Sequence, residues 1–363
     1  MSWLNTQGSF DKLIGIDYQP EYVSENSQTS SFRRARYLVA AVTAIALGLL
    51  PLLKHVWIPP ICTSPPYTLS ENAAWIGVDW TSSPPNLVST EQLAAEMSSR
   101  GFRYLFPFVS YLRSDGAFSP SFSYAAEFVS TFHRFDESTY LVAWIGVPVD
   151  STQPLGMHGW VDLADQNARK KIADFAAWLT IEAGFDGVHL DVEPVADANE
   201  DYLRLLEEVK TAIGSTHLLS VAGSHWQPTA LSRLPLIRQY GWSSEYLRTV
   251  AARVDQIVSM TYDSTLPNAA LYRFWLREQV LGLNQALVDS PVELLIGISV
   301  SREATRTHHP QAENLRSGLA GACSALSLIS PNERAVKGVA VYASWEADSL
   351  DWQTLEGWLR VPE

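Results

Sequence analysis

The sequence predicts an α/β protein built as a (β/α)8 TIM barrel. Eight short apolar runs rich in Val, Ile and aromatic residues alternate with amphipathic segments over about 290 residues. Such nearly continuous apolar strands are typical of a parallel sheet whose outer face is covered by helices. An open doubly wound sheet would need a Gly-rich turn after its first strand, and the sequence has none. The predicted strands are residues 74–80, 104–110, 140–149, 185–194, 217–224, 254–263, 292–300 and 336–345.

The segments between these strands carry helix start and stop signals. Ser89 followed by Gln92 indicates a capped helix start, and Gly101 indicates where that helix ends. Later segments repeat apolar residues at helical spacing, and Gly184 and Gly214 stop the first two of them. These apolar stripes are residues 172–179, 205–213 and 276–287.

The composition and the net charge limit the kinds of partner that the protein can have. Of 363 residues, 47% are hydrophobic and 18% are charged, which is enough apolar material for a large folded domain. The net charge of −13 argues against nucleic acid as a partner. No nucleotide or metal motif occurs, and we interpret the adjacent His308 and His309 as a loop pair, so no cofactor and no metal are expected. The two cysteines, Cys62 and Cys323, could form a single disulfide.

The amino-terminal region predicts a transmembrane helix. Residues 37–53 form an apolar run without a charge, and Lys54 can snorkel so that the span extends to residue 58. A buried core helix is the alternative, but such a helix normally carries a polar stripe, and this run has none. A cleavable signal peptide is a second alternative, but the 36 residues ahead of the run are long for one.

The charges beside this run predict its orientation. Three arginines precede it and one lysine follows it, so residues 1–36 are expected to be a cytoplasmic polar tail. Residues 37–58 would then be a signal-anchor, and the Pro-rich residues 59–72 a stiff spacer. The barrel at residues 73–363 would lie outside, which makes the chain a single-pass protein of the cell membrane.

The fourth predicted strand carries three ionisable side chains on one face. Because side chains alternate along a strand, His189, Asp191 and Glu193 point to the same side, while Val188 and Leu190 point to the other. Two carboxylates and an imidazole inside a barrel are costly unless each has a partner, so hydrogen bonds among side chains are expected. The carboxyl ends of barrel strands are where catalytic groups collect. The sequence therefore predicts an active site in which Glu193, nearest the mouth, holds a proton with a raised pKa.

Three motifs resemble those of the family 18 glycoside hydrolases, the chitinases and related endo-N-acetylglucosaminidases. The run FDGVHLDVEP is similar to the family signature D-G-x-D-x-D-x-E, with Asp186, Gly187, Asp191 and Glu193 matching and His189 in place of one aspartate. The run SMTYD resembles the family's M-x-Y-D on the sixth strand, and a tryptophan at the end of the eighth strand has its counterpart in Trp345. The resemblance spans residues 75–359.

The resemblance implies a substrate-assisted, retaining hydrolysis of β-linked N-acetylglucosamine polymers such as chitin or peptidoglycan. Glu193 would protonate the glycosidic oxygen, and Asp191 would orient the acetamido group that attacks the anomeric carbon. Tyr262 would donate a hydrogen bond to the acetamido oxygen. Asp263 would contact the same group or the neighbouring subsite, and Trp345 would stack on the sugar ring.

The remaining candidates have supporting or binding roles. His189 departs from the family pattern, and as an imidazolium it would hold Asp191 charged and lower its pKa. Asp186 is expected to shape the strand entrance. The other candidate substrate contacts are Met260 of the sixth-strand motif and the aromatic residues Trp80 and Trp226 near strand ends.

Two further readings of the function remain open. The same barrel could be a glycan-binding protein without activity, because a fold does not fix a function. Alternatively, a two-carboxylate glycosidase could use Asp79 or Glu346 as its nucleophile. Cleavage of substrates that lack the acetamido group would separate this last reading from the substrate-assisted one.

Overall fold

Eight parallel strands close into a barrel in the computed structural model, which describes residues 62–150, 159–228, 231 and 240–360. Each strand pairs in parallel with its neighbours along the chain, and the eighth strand pairs with the first, which closes the barrel. The barrel prediction is confirmed, and the strand ends differ from prediction by at most four residues. The strands of the barrel are β1 Asn72–Ile76, β2 Phe102–Tyr111, β3 Tyr140–Pro148, β4 Gly187–Glu193, β5 Leu218–Gly223, β6 Gln256–Met260, β7 Glu293–Ser299 and β8 Val336–Tyr342. Two short segments, Trp226–Gln227 and Trp242–Ser243, pair with each other outside the barrel.

Helices follow the strands and cover the outside of the barrel. The start predicted at Ser89 is wrong, because the helix begins at Leu87 and its cap is Asn86, whose side chain accepts from the Ser89 backbone N–H. Gly101 and Gly214 end their helices with φ angles of 75° and 78°, as predicted. The helices are α1 Asp79–Ser82, α2 Leu87–Ser99, α3 Ala125–His133, α4 Gln166–Ile181, α5 Glu200–Ile213, α6 Ser244–Ala251, α7 Ala269–Leu287, α8 Leu315–Leu326 and α9 Ser349–Leu359.

The strands separate two apolar cores. Residues that alternate outward, such as Val188 and Leu190 of β4, pack against the helices in a large outer core. The inner core, inside the barrel, is smaller and strongly aromatic. Its rings come from β1, β2, β3 and β8 and from the segment after β6, and they include Trp75, Tyr104, Phe106, Phe108, Trp144, Tyr262 and Tyr342. This aromatic lining surrounds the polar face of β4.

A disulfide attaches the segment ahead of the barrel to the helical layer. Cys62 is bonded to Cys323 of α8, with 5.6 Å between the Cα atoms. Leu69 is buried, and the Arg334 guanidinium lies 3.9 Å from the centre of the Tyr67 ring. The described part of the predicted spacer therefore packs on the barrel.

The predicted polar tail 1–36 and membrane anchor 37–58 lie outside the described residues. Within the described ranges, no helix combines the length and the apolar character needed to cross a membrane.

Candidate active site

The inward column of His189, Asp191 and Glu193 is present on β4. The three side chains have exposed fractions of 0%, 4% and 5%, so β4 buries three ionisable groups. Close packing of β4 against β5 at Gly187, the first residue of β4, helps to fix the position of these side chains. A side chain at Gly187 would place its Cβ 2.3 Å from the Leu218 carbonyl oxygen, so only glycine lets β4 lie this close to β5.

The carboxyl of Asp191 is held at the centre of the column. The Trp144 indole Nε1–H donates to Asp191 Oδ2 at 3.1 Å. Burial raises the pKa of Asp191 well above its usual range, and the neighbouring charge of Glu193 and a hydrogen bond with it raise it further. The Trp144 hydrogen bond acts in the opposite direction and is outweighed. The two carboxyls of this pair therefore retain a proton at a pH where isolated carboxyls have lost theirs.

His189 is neutral, which corrects the expectation of an imidazolium. Its ring is fully buried, stacks on Phe106 with 4.2 Å between ring centres, and meets the edge of Trp75. Burial lowers the pKa of His189 to about 3, because an apolar surrounding disfavours the charged ring. A neutral imidazole does not hold Asp191 charged, and the pKa of Asp191 is raised rather than lowered.

Tyr262 is placed against the inner aromatic core just after β6 ends at Met260. Its ring stacks on Tyr342, with 5.3 Å between centres and 11° between planes. A side chain also holds the backbone of this segment, because His225 Nε2 donates to the Tyr262 carbonyl oxygen at 2.8 Å. Burial raises the pKa of the Tyr262 phenol, with contributions from Tyr342, Asp191 and Glu193, so its hydroxyl keeps its proton as a donor. Met260 lies in the same inner core.

The structure places Tyr342, and not Trp345, at the end of β8. The strand prediction extended β8 by three residues, but Trp345 lies in a short 3-10 helix, Ser344–Glu346, beyond the strand. Tyr342 contacts Trp75, Trp144 and Tyr262 within the barrel. Trp345 is 37% exposed and meets the edge of Tyr342 at 5.9 Å. Tyr342 is therefore the β8 ring inside the barrel, and Trp345 is an outer neighbour of it.

Asp263 belongs to a buried ionic cluster that the sequence did not predict. His308 Nδ1 lies 3.4 Å from Asp263 Oδ1 and 3.3 Å from Glu313 Oε2, and its Nε2 donates to the Ser301 carbonyl oxygen. Burial lowers the pKa of His308, but the hydrogen bonds and charges of the two carboxylates outweigh it and raise the pKa to about 10. His308 is therefore an imidazolium; it lies in a loop, as predicted, but its ionic partners were not predicted.

The same cluster is the group, among the described residues, that has a metal-ligand composition. Ligand atoms of Asp263, His308 and Glu313 all lie within 4.8 Å of one another. In the arrangement described, the Nδ1 atom of His308 carries a proton between two carboxylates, so the imidazolium supplies the positive charge that they need. Glu313 also accepts from the Ser264 hydroxyl, which ties the segment after β6 to the segment after β7.

Other sequence candidates lie away from the column. The ring of Trp80 is 5.7 Å from Phe128 of α3 and packs against the outer core, outside the barrel. Trp226 packs on α7, where a Cβ at Gly282 would lie 2.3 Å from its ring, so both tryptophans serve packing rather than the mouth of the barrel.

Three acidic candidates lie outside the column. Asp186 lies at the amino end of β4, where it accepts from the Leu141 backbone N–H and pairs with His133. Asp79 is exposed at the start of α1, and Glu346 binds the backbone N–H of Arg302 at 2.8 Å. Asp79 and Glu346 therefore lie in helical segments that follow β1 and β8, and not on the strands themselves.

Trp160 is a candidate that the sequence reading missed. Its backbone N–H donates to Pro148, the residue of β3 that is paired with Glu193, and its indole Nε1–H donates to the Leu112 carbonyl oxygen. The ring therefore bridges the carboxyl ends of β2 and β3, with 40% of the residue exposed. No periodic signal in the sequence marks it, because it lies outside the predicted strands.

Replacement of the Asp191 carboxyl by an amide should stabilise the fold near neutral pH. Because the pKa of Asp191 is raised on folding, its contribution to stability is present below its unfolded pKa and is lost as pH rises through the folded value. We expect Asp191→Asn to increase the free energy of unfolding near neutral pH by about 1 kcal/mol. Denaturant unfolding at several pH values measures it. A gain that persists undiminished at about pH 4 would contradict this explanation.

The His308 cluster should lose its contribution in the same direction of pH, but in the alkaline range. The folded pKa is raised from 6.5 to about 10, so its contribution is complete below pH 6.5 and is lost as pH rises toward 10. We expect His308→Gln to cost about 3 kcal/mol or more, because it leaves two buried carboxylates unpaired. Unfolding curves of this variant should lack that alkaline decline. The adjacent His309→Gln is the matched control, and an equal loss in both variants would argue against the cluster.

Comparison with known proteins supports the fold assignment. No protein-family profile matches the sequence, and no curated protein matches it. A chitinase from Chromobacterium violaceum has a similar structure, with a TM-score of 0.54, 14% identity, and coverage of 81% of this chain and all of that one. The Bacillus cereus spore cortex-lytic enzyme SleL has a TM-score of 0.52 and 15% identity, with coverage of 80% of this chain and 75% of that one. A family 18 chitinase mutant from Cycas revoluta, solved with (GlcNAc)4, has a TM-score of 0.53 and 15% identity, with coverage of 79% of this chain and 98% of that one. The chain thus has the barrel fold of the family 18 glycoside hydrolases.

Proposed function

We propose that this protein is a glycoside hydrolase that cleaves β-linked, N-acetylglucosamine-containing glycans by a substrate-assisted, retaining mechanism. The observation that carries the proposal is the pair Asp191 and Glu193, buried on one face at the carboxyl end of a barrel strand, where burial and the neighbouring Glu193 raise the pKa of Asp191. Such surroundings keep a carboxyl protonated at a higher pH than in water, and this is what a general acid requires. The structural neighbours are chitinases and a cortex-lytic enzyme, which supports this substrate class.

The first chemical step breaks the glycosidic bond. Glu193 donates its proton to the glycosidic oxygen, and the C1–O bond breaks as the carbonyl oxygen of the 2-acetamido group forms a bond to C1. Asp191 accepts the acetamido N–H and balances the positive charge that develops on the oxazolinium ring. The indole N–H of Trp144 holds Asp191 in place for this role.

The second step returns the enzyme to its starting state. Glu193, now a carboxylate, accepts a proton from water as the water oxygen attacks C1 from the side that the leaving group vacated. The bond between C1 and the acetamido oxygen breaks, and the product keeps the β configuration. Two displacements at C1 therefore give retention without a covalent enzyme intermediate.

Aromatic side chains supply the surfaces for the sugar rings. The protonated hydroxyl of Tyr262 would donate to the acetamido oxygen, and Tyr342 would form the apolar floor beneath the ring. Trp160, at the mouth beside Glu193, would stack on a neighbouring sugar. Asp263 contributes through the His308 cluster, which fixes the backbone after Tyr262.

Hydrolysis of defined N-acetylglucosamine oligomers tests the mechanism. We expect the full chain to release β-anomeric products, and Glu193→Gln to lower kcat by about a thousandfold because the proton donor is lost. Tyr262→Phe should lower kcat by about tenfold to a hundredfold. Trp160→Ala should raise KM for long oligomers more than it lowers kcat.

Asp79→Asn serves as the matched control and should leave kcat unchanged. Loss of activity in that variant, or cleavage of polymers that lack the acetamido group, would instead favour the two-carboxylate mechanism. Binding of the oligomers without any hydrolysis would identify a glycan-binding protein. An inverted product would also contradict the proposal.

We further propose that the barrel acts outside the cytoplasm, tethered by a membrane helix at residues 37–58. The apolar run and its flanking arginines support this orientation. The disulfide Cys62–Cys323 supports it independently, because such bonds persist in oxidising compartments.

Thiol labelling in intact cells tests the location. In the full chain, Cys62 and Cys323 should react with a membrane-impermeant reagent only after reduction. A chain without residues 37–58 should be retained inside and should contain free thiols. Reactive thiols in the full chain without reduction would contradict the proposed location.

A further inference from the structure

A chain of buried hydrogen bonds runs from His189 to the amino end of the barrel. His189 Nδ1 lies 2.8 Å from the Ser220 hydroxyl oxygen, which donates to Gln256 Oε1 at 2.7 Å. Gln256 Nε2 donates to Glu293 Oε2 at 3.2 Å, and the Tyr104 hydroxyl donates to the same carboxylate oxygen at 2.8 Å. The four side chains from His189 to Glu293 come from four successive strands, β4 to β7.

The order of donors and acceptors in this chain is fixed at its far end. A carboxylate only accepts, so Gln256 must turn its amide N–H toward Glu293 and its carbonyl oxygen toward Ser220. The single hydroxyl proton of Ser220 is then used on Gln256. Ser220 can only accept from His189, which places the ring proton of His189 on Nδ1 and leaves Nε2 with a bare lone pair.

Two buried atoms of the inward column have unused hydrogen-bonding capacity. Among the described residues, His189 Nε2 and Asp191 Oδ1 have no hydrogen-bond partner, although both are shielded from solvent. They belong to neighbouring side chains on the same face of β4. A buried polar atom without a partner is costly, so such a pair calls for a functional explanation.

We propose that the Ser220–Gln256–Glu293 chain makes His189 a positioning residue, a neutral acceptor that receives the carboxyl proton of Asp191 in a hydrogen bond when Asp191 turns away from Glu193. The carboxyl O–H of Asp191 donates to Nε2 without transferring the proton. Asp191 thus has two alternative partners, Glu193 toward the mouth and His189 toward the interior. For its kinetic consequence, though not for the tautomer itself, this inference rests on the proposed hydrolase function.

The charges around Asp191 make its protonated state sensitive to this acceptor. Glu193 is the titratable neighbour that contributes to the raised pKa of Asp191. The phenols of Tyr202 from α5 and of Tyr262 interact electrostatically with both carboxyls. Burial raises the pKa values of these phenols and keeps them neutral. On two other sides His189 meets the rings of Trp75 and Phe106, which carry no charge that could compete with this hydrogen bond.

Nuclear magnetic resonance of ring nitrogens in the full chain, labelled with isotope-enriched histidine, tests the tautomer directly. Loss of a signal in His189→Gln assigns the resonance. We expect Nδ1 to carry the proton and Nε2 to be bare from about pH 5 to pH 8, without titration. A proton on Nε2, or a titrating ring, would overturn the proposal. This readout needs no activity, so it remains decisive even if the chain hydrolyses no glycan.

Ser220→Ala tests the consequence for catalysis. Without the hydroxyl, the ring can place its proton on Nε2, which would donate to Asp191 and favour the charged carboxylate. The acidic limb of the kcat/KM profile should then move to lower pH by about half a unit or more.

Ser110→Ala is the matched control, because this buried hydroxyl of β2 donates to the Ser119 carbonyl oxygen, outside the chain. It should leave the acidic limb unshifted. Identical profiles for Ser220→Ala and the unaltered protein, or equal shifts in both variants, would overturn the positioning role.

Discussion

The burial of two carboxyls side by side on one strand is the constraint on which the site depends. Asp191 and Glu193 share the inner face of β4, and neither has more than a few per cent of its surface exposed. In a medium of low polarity, two adjacent negative charges are strongly disfavoured, so the pair keeps a proton. Burial of the pair is unfavourable in free energy, and the packing of eight strands and two apolar cores offsets it and holds the residues in place. The residues around the pair influence which atom carries that proton: Trp144 donates a hydrogen bond to Asp191, and His189 is neutral and can accept one.

Alternation along β4 was the most informative sequence signal. A period of two residues suffices to put His189, Asp191 and Glu193 on one face and Val188 and Leu190 on the other, and the structure has this arrangement. The eight strands were equally predictable, since each is a short apolar run bounded by helix signals. The local sequence pattern does not show which residues of other strands surround a side chain. The charge state of His189 depends on Trp75, Phe106 and Ser220, which come from three other strands.

The misplaced residues have the same physical origin. Trp345 was assigned to β8 because apolar residues continue past Tyr342, but the chain turns into a 3-10 helix there and Tyr342 takes the inner position. The partners of His308 are Asp263 and Glu313, one of which is distant in the sequence, so the His-His pair gave no sign of an ionic cluster. Trp80 and Trp226 lie near strand ends, but their rings turn toward α3 and α7. Proximity to a strand end predicts a location, and only packing decides which side of the barrel a ring faces.

The bond between Cys62 and Cys323 has a mechanical consequence. A pulling force applied upstream of residue 62 would pass through the sulfur atoms into α8 before it reached β1. The first strand pairs with both β2 and β8, so its extraction would open the closed cylinder at two seams. With the covalent link intact, tension is carried by a helix on the outside, and the strand order around Asp191 and Glu193 is shielded from strain.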